Sequence, residues 1–442
     1  MSDTKGVGIG GLTPAQEDFQ SSRYNHYAPI EYETEVVTED TFHYYPQHMG
    51  SYDGNVPITF HIPPETEWFT KLRSFRLMGT YNILEWKTTN TPPSWDAPTD
   101  TDVWSVVNNC PHTLFSTLET YIGDLKVADS SNNPYPFKVA LENILNFSAW
   151  YQKTIMSADN YFRDTKQDGA VGITETKDGY NKRRVGLLKG GKKEFCVPLH
   201  TDLLSASRDL PPGYRLRFTM IRRTDDAFSM WTGSANTKKY RINLSNLRLA
   251  VTKVKIEDKI FNFFYNNLKR IPEIPFSRNI VRSYSKAKDS IDIGFPNFLE
   301  QSQLPETVYI VFVKETAFDG NFQQNPFNFQ SLVFKEASII VNNVHQPLRP
   351  LTNEVTEGRK REFYEYFLNN TGNQICKQLH RNCKLILVLG RDHFNSQAVN
   401  ISLKDYFDHG YFILAFDRTP SKNNRFTRHK MDHGKISIVR SL

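Results

Sequence analysis

No stretch of this sequence approaches the roughly 18 consecutive apolar residues of a helix that crosses a membrane. The first residues lack the charged-then-apolar order of a secretory signal, so the sequence predicts a soluble chain without a membrane span, made on cytosolic ribosomes. Cysteine is sparse as well. Cys110, Cys196, Cys376 and Cys383 are the four in 442 residues, too few to staple a secreted scaffold of this size, and they are expected to be reduced. A strong charge of one sign is also missing. Lys and Arg number 54 against 48 Asp and Glu, and the resulting +6 permits contact with nucleic acid without requiring it; solvated lysines account for it more simply. No period of about 20 to 50 residues marks a solenoid or a propeller.

The signatures of catalysis are short of their parts. Gly6, Gly8 and Gly11 have G-x-G-x-x-G spacing, but no strand precedes them and Pro14 follows, so the phosphate-cradling turn cannot be built. In Gly186–Lys193 (GLLKGGKK), Lys193 stands where a P-loop needs Ser or Thr for magnesium. Pro198 then denies the phosphates a following helix, so the segment reads as a basic loop. Cys376, His380 and Cys383 lie close in sequence without a further ligand pair to complete a tetrahedral metal site. The sequence contains no H-x-H, no H-E-x-x-H and no G-x-S-x-G, which removes the metal cupin, the zinc protease and the nucleophile elbow. Asp225 and Asp226 are adjacent carboxylates, but Arg222 and Arg223 beside them favour salt links at a strand end over acid–base work. No catalytic residue, cofactor or metal is expected.

What the sequence holds in quantity is aromatic residues and short alternating runs. Phe (31) and Tyr (21) favour pleated surfaces, and 442 residues suit two cores rather than one. Val56, Ile58, Phe60 and Ile62 alternate with polar neighbours, and so do Tyr214, Leu216, Phe218 and Met220, the period of a half-buried strand. Thr307–Val313, Lys384–Leu389 and Tyr411–Phe416 read as strands buried on both faces, and Lys435–Leu442 as a further strand. Thr113–Tyr121 is compatible with helix or strand. Phe137–Trp150 has helical spacing, as has Ile256–Arg270, which Pro272 and Pro275 terminate. Thr88–Asp102 and Asp159–Lys193 lack an apolar period and read as loops. The expected organisation is a flexible arm at 1–49, a first set of strands at 50–258, a linker helix at 259–275 and a second set at 276–442. Many short strands with long loops in two blocks predict an all-β protein of two tandem sandwiches or jelly rolls.

Several segments carry a resemblance. Phe318–Phe329 (FDGNFQQNPFNF), Tyr411–Pro420 (YFILAFDRTP), Cys110–Trp150 and Val197–Met230 together resemble the major capsid proteins of Polinton (Maverick) elements and adintoviruses. The resemblance runs from about Asp53 to the C-terminus and departs from the family in the arm, at Thr88–Asp102 and at Glu354–Arg381. It implies a double jelly roll, two eight-stranded sandwiches side by side, similar to adenovirus hexons. It also implies a homotrimer acting as a pseudo-hexameric capsomer, an icosahedral shell around double-stranded DNA, and a place in the virion. Its implied partners are other copies of the chain, a penton protein with a single jelly roll, a maturation protease and packaged DNA, with the arm inside the shell or across a neighbouring capsomer. Gly190–Gly191 after Leu188 resembles a double-glycine cleavage site, although a plain loop is the simpler reading. Two other classes share the pattern: a host protein descended from such a capsid and reused for binding, and a carbohydrate-binding double sandwich.

The motif residues expected to matter structurally are Asn325, Pro326, Phe327, Phe329, Phe416, Asp417 and Pro420. Pro326 fixes its own φ and holds Asn325 extended, so the chain turns there before Phe327 and Phe329 point the same way into a core. The two phenylalanines are expected beneath a strand at Leu332–Val341. Asn325 and Asn328 are expected to satisfy backbone groups of the turn with their side-chain amides.

Overall fold

In the computed structural model, the described residues are 35–48, 56–128, 134–164, 179–232, 238–266, 278–285, 295–303, 307–332, 334–342, 344–353, 360–371, 401–418 and 433–441, with 52, 274, 276 and 305 besides. Strands dominate them, and every strand pair is antiparallel.

The N-terminal half is built on two facing sheets. In the first, Val36–Tyr44, Tyr240–Ile256, Arg76–Lys87 and Ser94–Asp96 lie side by side; Trp68–Thr70 joins on Tyr240–Ile256, and Lys193–Pro198 on Arg76–Lys87. The second sheet has the order Ile58–Ile62, Leu216–Arg222, Phe115–Ile122, Leu125–Ala128. Several neighbours in space are far apart in sequence, such as Ile58–Ile62 beside Leu216–Arg222 and Val36–Tyr44 beside Tyr240–Ile256, as jelly-roll crossovers require. Alternation decides the inner face. Ile58, Phe60 and Ile62 are buried opposite Leu216, Phe218 and Met220, and Thr59 and Arg217 point away. Each such Phe, Leu or Ile withdrawn from water contributes about 1.5–3 kcal/mol. Facing rings such as Phe75 and Phe218, 5.2 Å apart, close the sandwich. The long strand Tyr240–Ile256 is interrupted between Ser245 and Arg248, where Asn246 takes a left-handed φ of 54° and the ladder bulges.

In the C-terminal half, Phe295–Gln303, His433–Ser441, Phe334–Val341 and Val344–Asn353 form one sheet in that order, and Thr307–Ile310 pairs with Leu414–Asp417 in another. Helix Lys360–Asn370 packs Phe363 and Phe367 into the core, where Tyr406 lies 5.0 Å from Phe367.

Several sequence expectations change here. Within the arm, Val36–Tyr44 is a strand paired with Leu249–Ile256. It sits at the sheet edge with mostly exposed side chains, so backbone hydrogen bonds hold it and no apolar period was needed. Tyr214 lies outside the strand it was assigned to and is 38 % exposed. Thr113–Tyr121 resolves as the strand Phe115–Ile122. Thr307–Val313 is strand only to Ile310, and Tyr309 within it is exposed on one face while Val308 is buried on the other. The loop Thr88–Asp102 contains the strand Ser94–Asp96, and Asp159–Lys193 contains a helix, Gly179–Val185. Lys193–Pro198 is a strand, so no helix follows GLLKGGKK, in keeping with a loop there. The strand over Lys435–Leu442 is present within His433–Ser441, and Leu414–Asp417 is buried over its first three residues. Lys384–Leu389, Gly6–Gly11, Cys376, His380, Cys383 and Pro420 lie outside the described residues.

Candidate functional site

The feature that distinguishes this fold is the seam between its halves. Helix Tyr135–Asn146 forms one wall, with a Pro at its start where a missing N–H costs nothing. At 100° per residue, Tyr135 and Val139 fall on one side, and Phe137, Ala140 and Ile144 on the opposite side. Tyr135 and Val139 join the core of the N-terminal sandwich. Phe137, Ala140 and Ile144 join a second core that also holds Phe327, Phe329, Tyr406, Phe412 and Phe416 from the C-terminal half. The helix is therefore apolar on two faces because it is packed between two cores.

The segment FDGNFQQNPFNF makes the other wall. Phe318 stacks on Phe137 with ring centres 5.3 Å apart and planes 14° from parallel. Phe327 meets Phe137 edge-on at 5.8 Å and Phe228 at 6.1 Å, near the perpendicular. The carbonyl of Phe322 accepts the Thr232 N–H at 2.5 Å. Gly320, at φ 111°, lies so near Phe228 that a Cβ there would come within 3.2 Å of its backbone N, so only glycine satisfies both demands. Farther along the seam, the Tyr411 hydroxyl donates to the Asp164 carbonyl at 3.2 Å, and the Arg163 guanidinium lies over the Tyr411 ring at 4.5 Å.

Turn chemistry holds the motif in shape. Asn325 Oδ1 accepts the Phe327 N–H at 3.0 Å, and the Asn325 carbonyl accepts the Asn328 N–H at 3.2 Å. Phe329 then pairs with Tyr411 in a parallel bridge, its N–H donating to the Gly410 carbonyl at 2.9 Å. Phe327 and Phe329 are both buried, and Phe329 shares its core with Ala337, Ile339 and Val341 of the following strand. Phe416 is buried beside Tyr366, and Asp417 sits half-buried at the strand end, paired with Thr307. Asn328 departs from expectation. Its amide satisfies no backbone group of the turn, and both side-chain polar atoms are buried without a protein partner.

Two polar clusters support the seam from the N-terminal side, and neither was visible in sequence. Arg183, 1 % exposed, pairs with Asp164 at 2.7 Å. It also donates to the carbonyls of Val106 and Phe162 and to Asn108 Oδ1. A buried guanidinium is tolerable only when its donors are met, and these partners meet them. In the run GYNKRRV, nothing marks Arg183 as interior and Lys182 as exposed. The second cluster joins His112, Tyr135, Lys138, Glu142, His200 and Asp202. Lys138 pairs with Asp202 at 2.5 Å, His200 Nδ1 with Glu142 at 2.6 Å, and His112 Nδ1 with the Tyr135 hydroxyl at 3.0 Å. Burial, aided by His200, holds the His112 pKa well below the usual histidine range. Asn279, ahead of the C-terminal strands, donates to the other oxygen of Glu142 at 3.1 Å.

The paired carboxylates have separate structural tasks. Asp225 caps the short turn before Phe228 by accepting the Ala227 N–H at 2.9 Å. Asp226 pairs with Arg222 at 3.3 Å and accepts the Ile242 N–H at 2.8 Å, and burial pushes its pKa up. Arg223 lies over the Phe228 ring at 3.8 Å, where burial brings its pKa down to about 10. Among the described residues no group of three His, Cys, Asp or Glu is placed to hold a metal ion.

No family model and no curated protein matches the sequence. Solved structures do match. A chain of the Sputnik virophage, solved by cryo-electron microscopy, superposes with a TM-score of 0.57 at 10% identity, covering 99% of this chain and 87% of that one. The faustovirus major capsid protein follows with a TM-score of 0.48 at 10% identity, over 94% of this chain and 88% of that one. The mavirus major capsid protein gives 0.45 at 9% identity, over 100% and 90%. The chain accordingly has a double jelly-roll fold like that of the Sputnik virophage chain, mostly β-sheet with few short helices and long loops.

Proposed function

We propose that this chain is a major capsid protein whose work is mechanical: it builds a virus shell from copies of itself. The observation that carries the reading is the superposition over 99% of the chain on a chain of the Sputnik virophage particle. The seam supports it, since a tile bearing two jelly rolls keeps its angles only if the rolls are fixed to one another. Jelly rolls at about 50–258 and 276–442 give two blocks per chain, and three chains close into a pseudo-hexameric capsomer through heterologous contacts that return on themselves. Capsomers then tile an icosahedral shell around double-stranded DNA, with a penton protein of a single jelly roll at the vertices and a maturation protease among the partners. The resemblance of FDGNFQQNPFNF and YFILAFDRTP to the capsid proteins of Polinton elements and adintoviruses supports a kinship with that group.

Light scattering on the purified full-length chain tests the first step, and electron microscopy of the same sample tests the second. The expected result is a stable particle of three times the 51.2 kDa chain mass, six-lobed in projection. A clean monomer at micromolar concentration contradicts the proposal.

A further inference from the structure

A cavity of about 20 Å³ lies in the seam, with Asn108, Asn109 and Asp164 on the N-terminal side and Asn328, His409 and Tyr411 on the C-terminal side. Its size exceeds the roughly 10–15 Å³ that one water molecule occupies and excludes an organic ligand of any length.

Asn328 defines what the cavity can take. The residue is 4 % exposed, and neither its Oδ1 nor its Nδ2 meets a protein partner. Its backbone is fixed on three sides: the N–H donates to the Asn325 carbonyl at 3.2 Å, the carbonyl accepts from Gln330 Nε2 at 3.3 Å, and the next residue is tied to Gly410 at 2.9 Å. Gly410 presses on the amide from behind. A Cβ there would fall 2.5 Å from Asn328 Oδ1, and its φ of 79° also favours glycine, so the side chain has no room to retreat. Other lining groups are already engaged. Tyr411 donates to the Asp164 carbonyl at 3.2 Å, His409 Nδ1 lies 2.7 Å from Asp405, and Asn109 Oδ1 accepts from Asn143 at 2.8 Å.

A buried amide without partners costs roughly 1–3 kcal/mol. Its two ends make opposite demands, because Oδ1 needs a donor and Nδ2 an acceptor. A bare cation meets only the first demand, and an anion only the second. Water meets both. We propose that the seam cavity is a binding site for one water molecule, which closes on both ends of the Asn328 amide and is a permanent part of the joint. The site stands on the cavity and the amide alone, so it does not depend on the chain forming a shell.

A map of the full-length protein at a resolution that shows ordered solvent tests it directly. The expected result is one peak within about 2.7–3.2 Å of both amide atoms of Asn328. An empty cavity, or a peak approached only by oxygen or only by N–H groups, overturns the proposal. Asn328→Leu gives a second readout with opposite signs. If the amide holds water, leucine evicts it, the hydrogen bonds it made with Oδ1 and Nδ2 are lost, and the melting temperature falls. If the amide is truly unpartnered, an apolar side chain of similar size relieves the cost, and the melting temperature stays or rises. Where the variant does not fold, the map of the native protein decides.

Discussion

The two cores of this molecule are built by different rules. The core of the N-terminal sandwich is filled from alternating strands, with Ile58, Phe60 and Ile62 beside Leu216, Phe218 and Met220 on one sheet at every second position and Phe75 packed on Phe218. The seam core adds to its strand residues a set of aromatic rings carried on turns and helices: Phe137 and Phe228 from one half, Phe327, Tyr406, Phe407 and Phe412 from the other. A sandwich gains its order from repetition, whereas a joint between two sandwiches must be cut to fit one angle. Large flat rings with preferred edge-on and stacked contacts suit that task, since they supply area and direction together.

The strongest way to break this contrast is to remove one ring from each core. Phe329→Ala and Phe60→Ala each empty a position that is 0% exposed. Each is expected to cost about 3–5 kcal/mol in denaturant unfolding. Because Phe329 ties the motif to Gly410 and Tyr411 at the seam, its loss should also lower the yield of soluble oligomer. A Phe329→Ala protein with unchanged stability that fails only in assembly would make the motif an outer contact instead of a joint.

Next in size is the buried ion pair. Arg183→Met leaves the Asp164 carboxylate buried beside the seam without its guanidinium, an expected loss of about 3–5 kcal/mol. Adding Asp164→Asn should recover part of it. No recovery in the double variant would mean that Arg183 matters through its bonds to the Val106 and Phe162 carbonyls instead.

A smaller effect sharpens the comparison at one contact. A double-mutant cycle on Phe137 and Phe327 is expected to give a coupling of about 0.5–1.5 kcal/mol between residues from different halves. Additive losses would show that the rings touch without working together.

The smallest effect depends on pH. His112 is held neutral by burial, so its folded pKa lies below that of the unfolded chain, near 6.5. The unfolded state therefore binds more protons below that point, and stability present above about pH 6.5 is lost as pH falls toward the folded pKa. Glu142, held below its usual range by His200 and Lys138 against the opposing pull of burial, adds loss in the same direction at lower pH. Melting temperatures at pH 7.5 and 5.5 should differ in that sense, and His112→Phe should flatten the slope. An unaltered slope would assign the acid sensitivity to other groups.

How much of this was legible beforehand follows the same division. The strands at Ile58–Ile62 and Leu216–Arg222 announce themselves, since a face packed on a core must alternate. Helix Tyr135–Asn146 is visible as a helix, but its two apolar faces look like an ordinary run of hydrophobic residues until two cores are there to receive them. The motif around Pro326 is readable as a turn with two buried phenylalanines. That Phe318 and Phe327 reach across to Phe137 and Phe228 is a fact of tertiary packing without a local signature. The strand Val36–Tyr44 was hidden for the opposite reason: an exposed edge strand has no buried face to write into the sequence. Buried Arg183 was beyond reach because an arginine on a short helix is ordinarily wet, and Asn328 was read as an amide serving its own turn because nothing local shows that its partners are missing.

Amide hydrogen exchange of the full-length chain, followed segment by segment across a denaturant series, tests most directly whether the seam makes the two halves one unit. The account predicts that Leu216–Arg222 in the first core and Leu414–Asp417 in the second exchange through the same global opening. Their protection should match and fall together with denaturant, and should separate in Phe327→Ala. Exchange of Leu414–Asp417 while Leu216–Arg222 remains protected in the unaltered protein would contradict it.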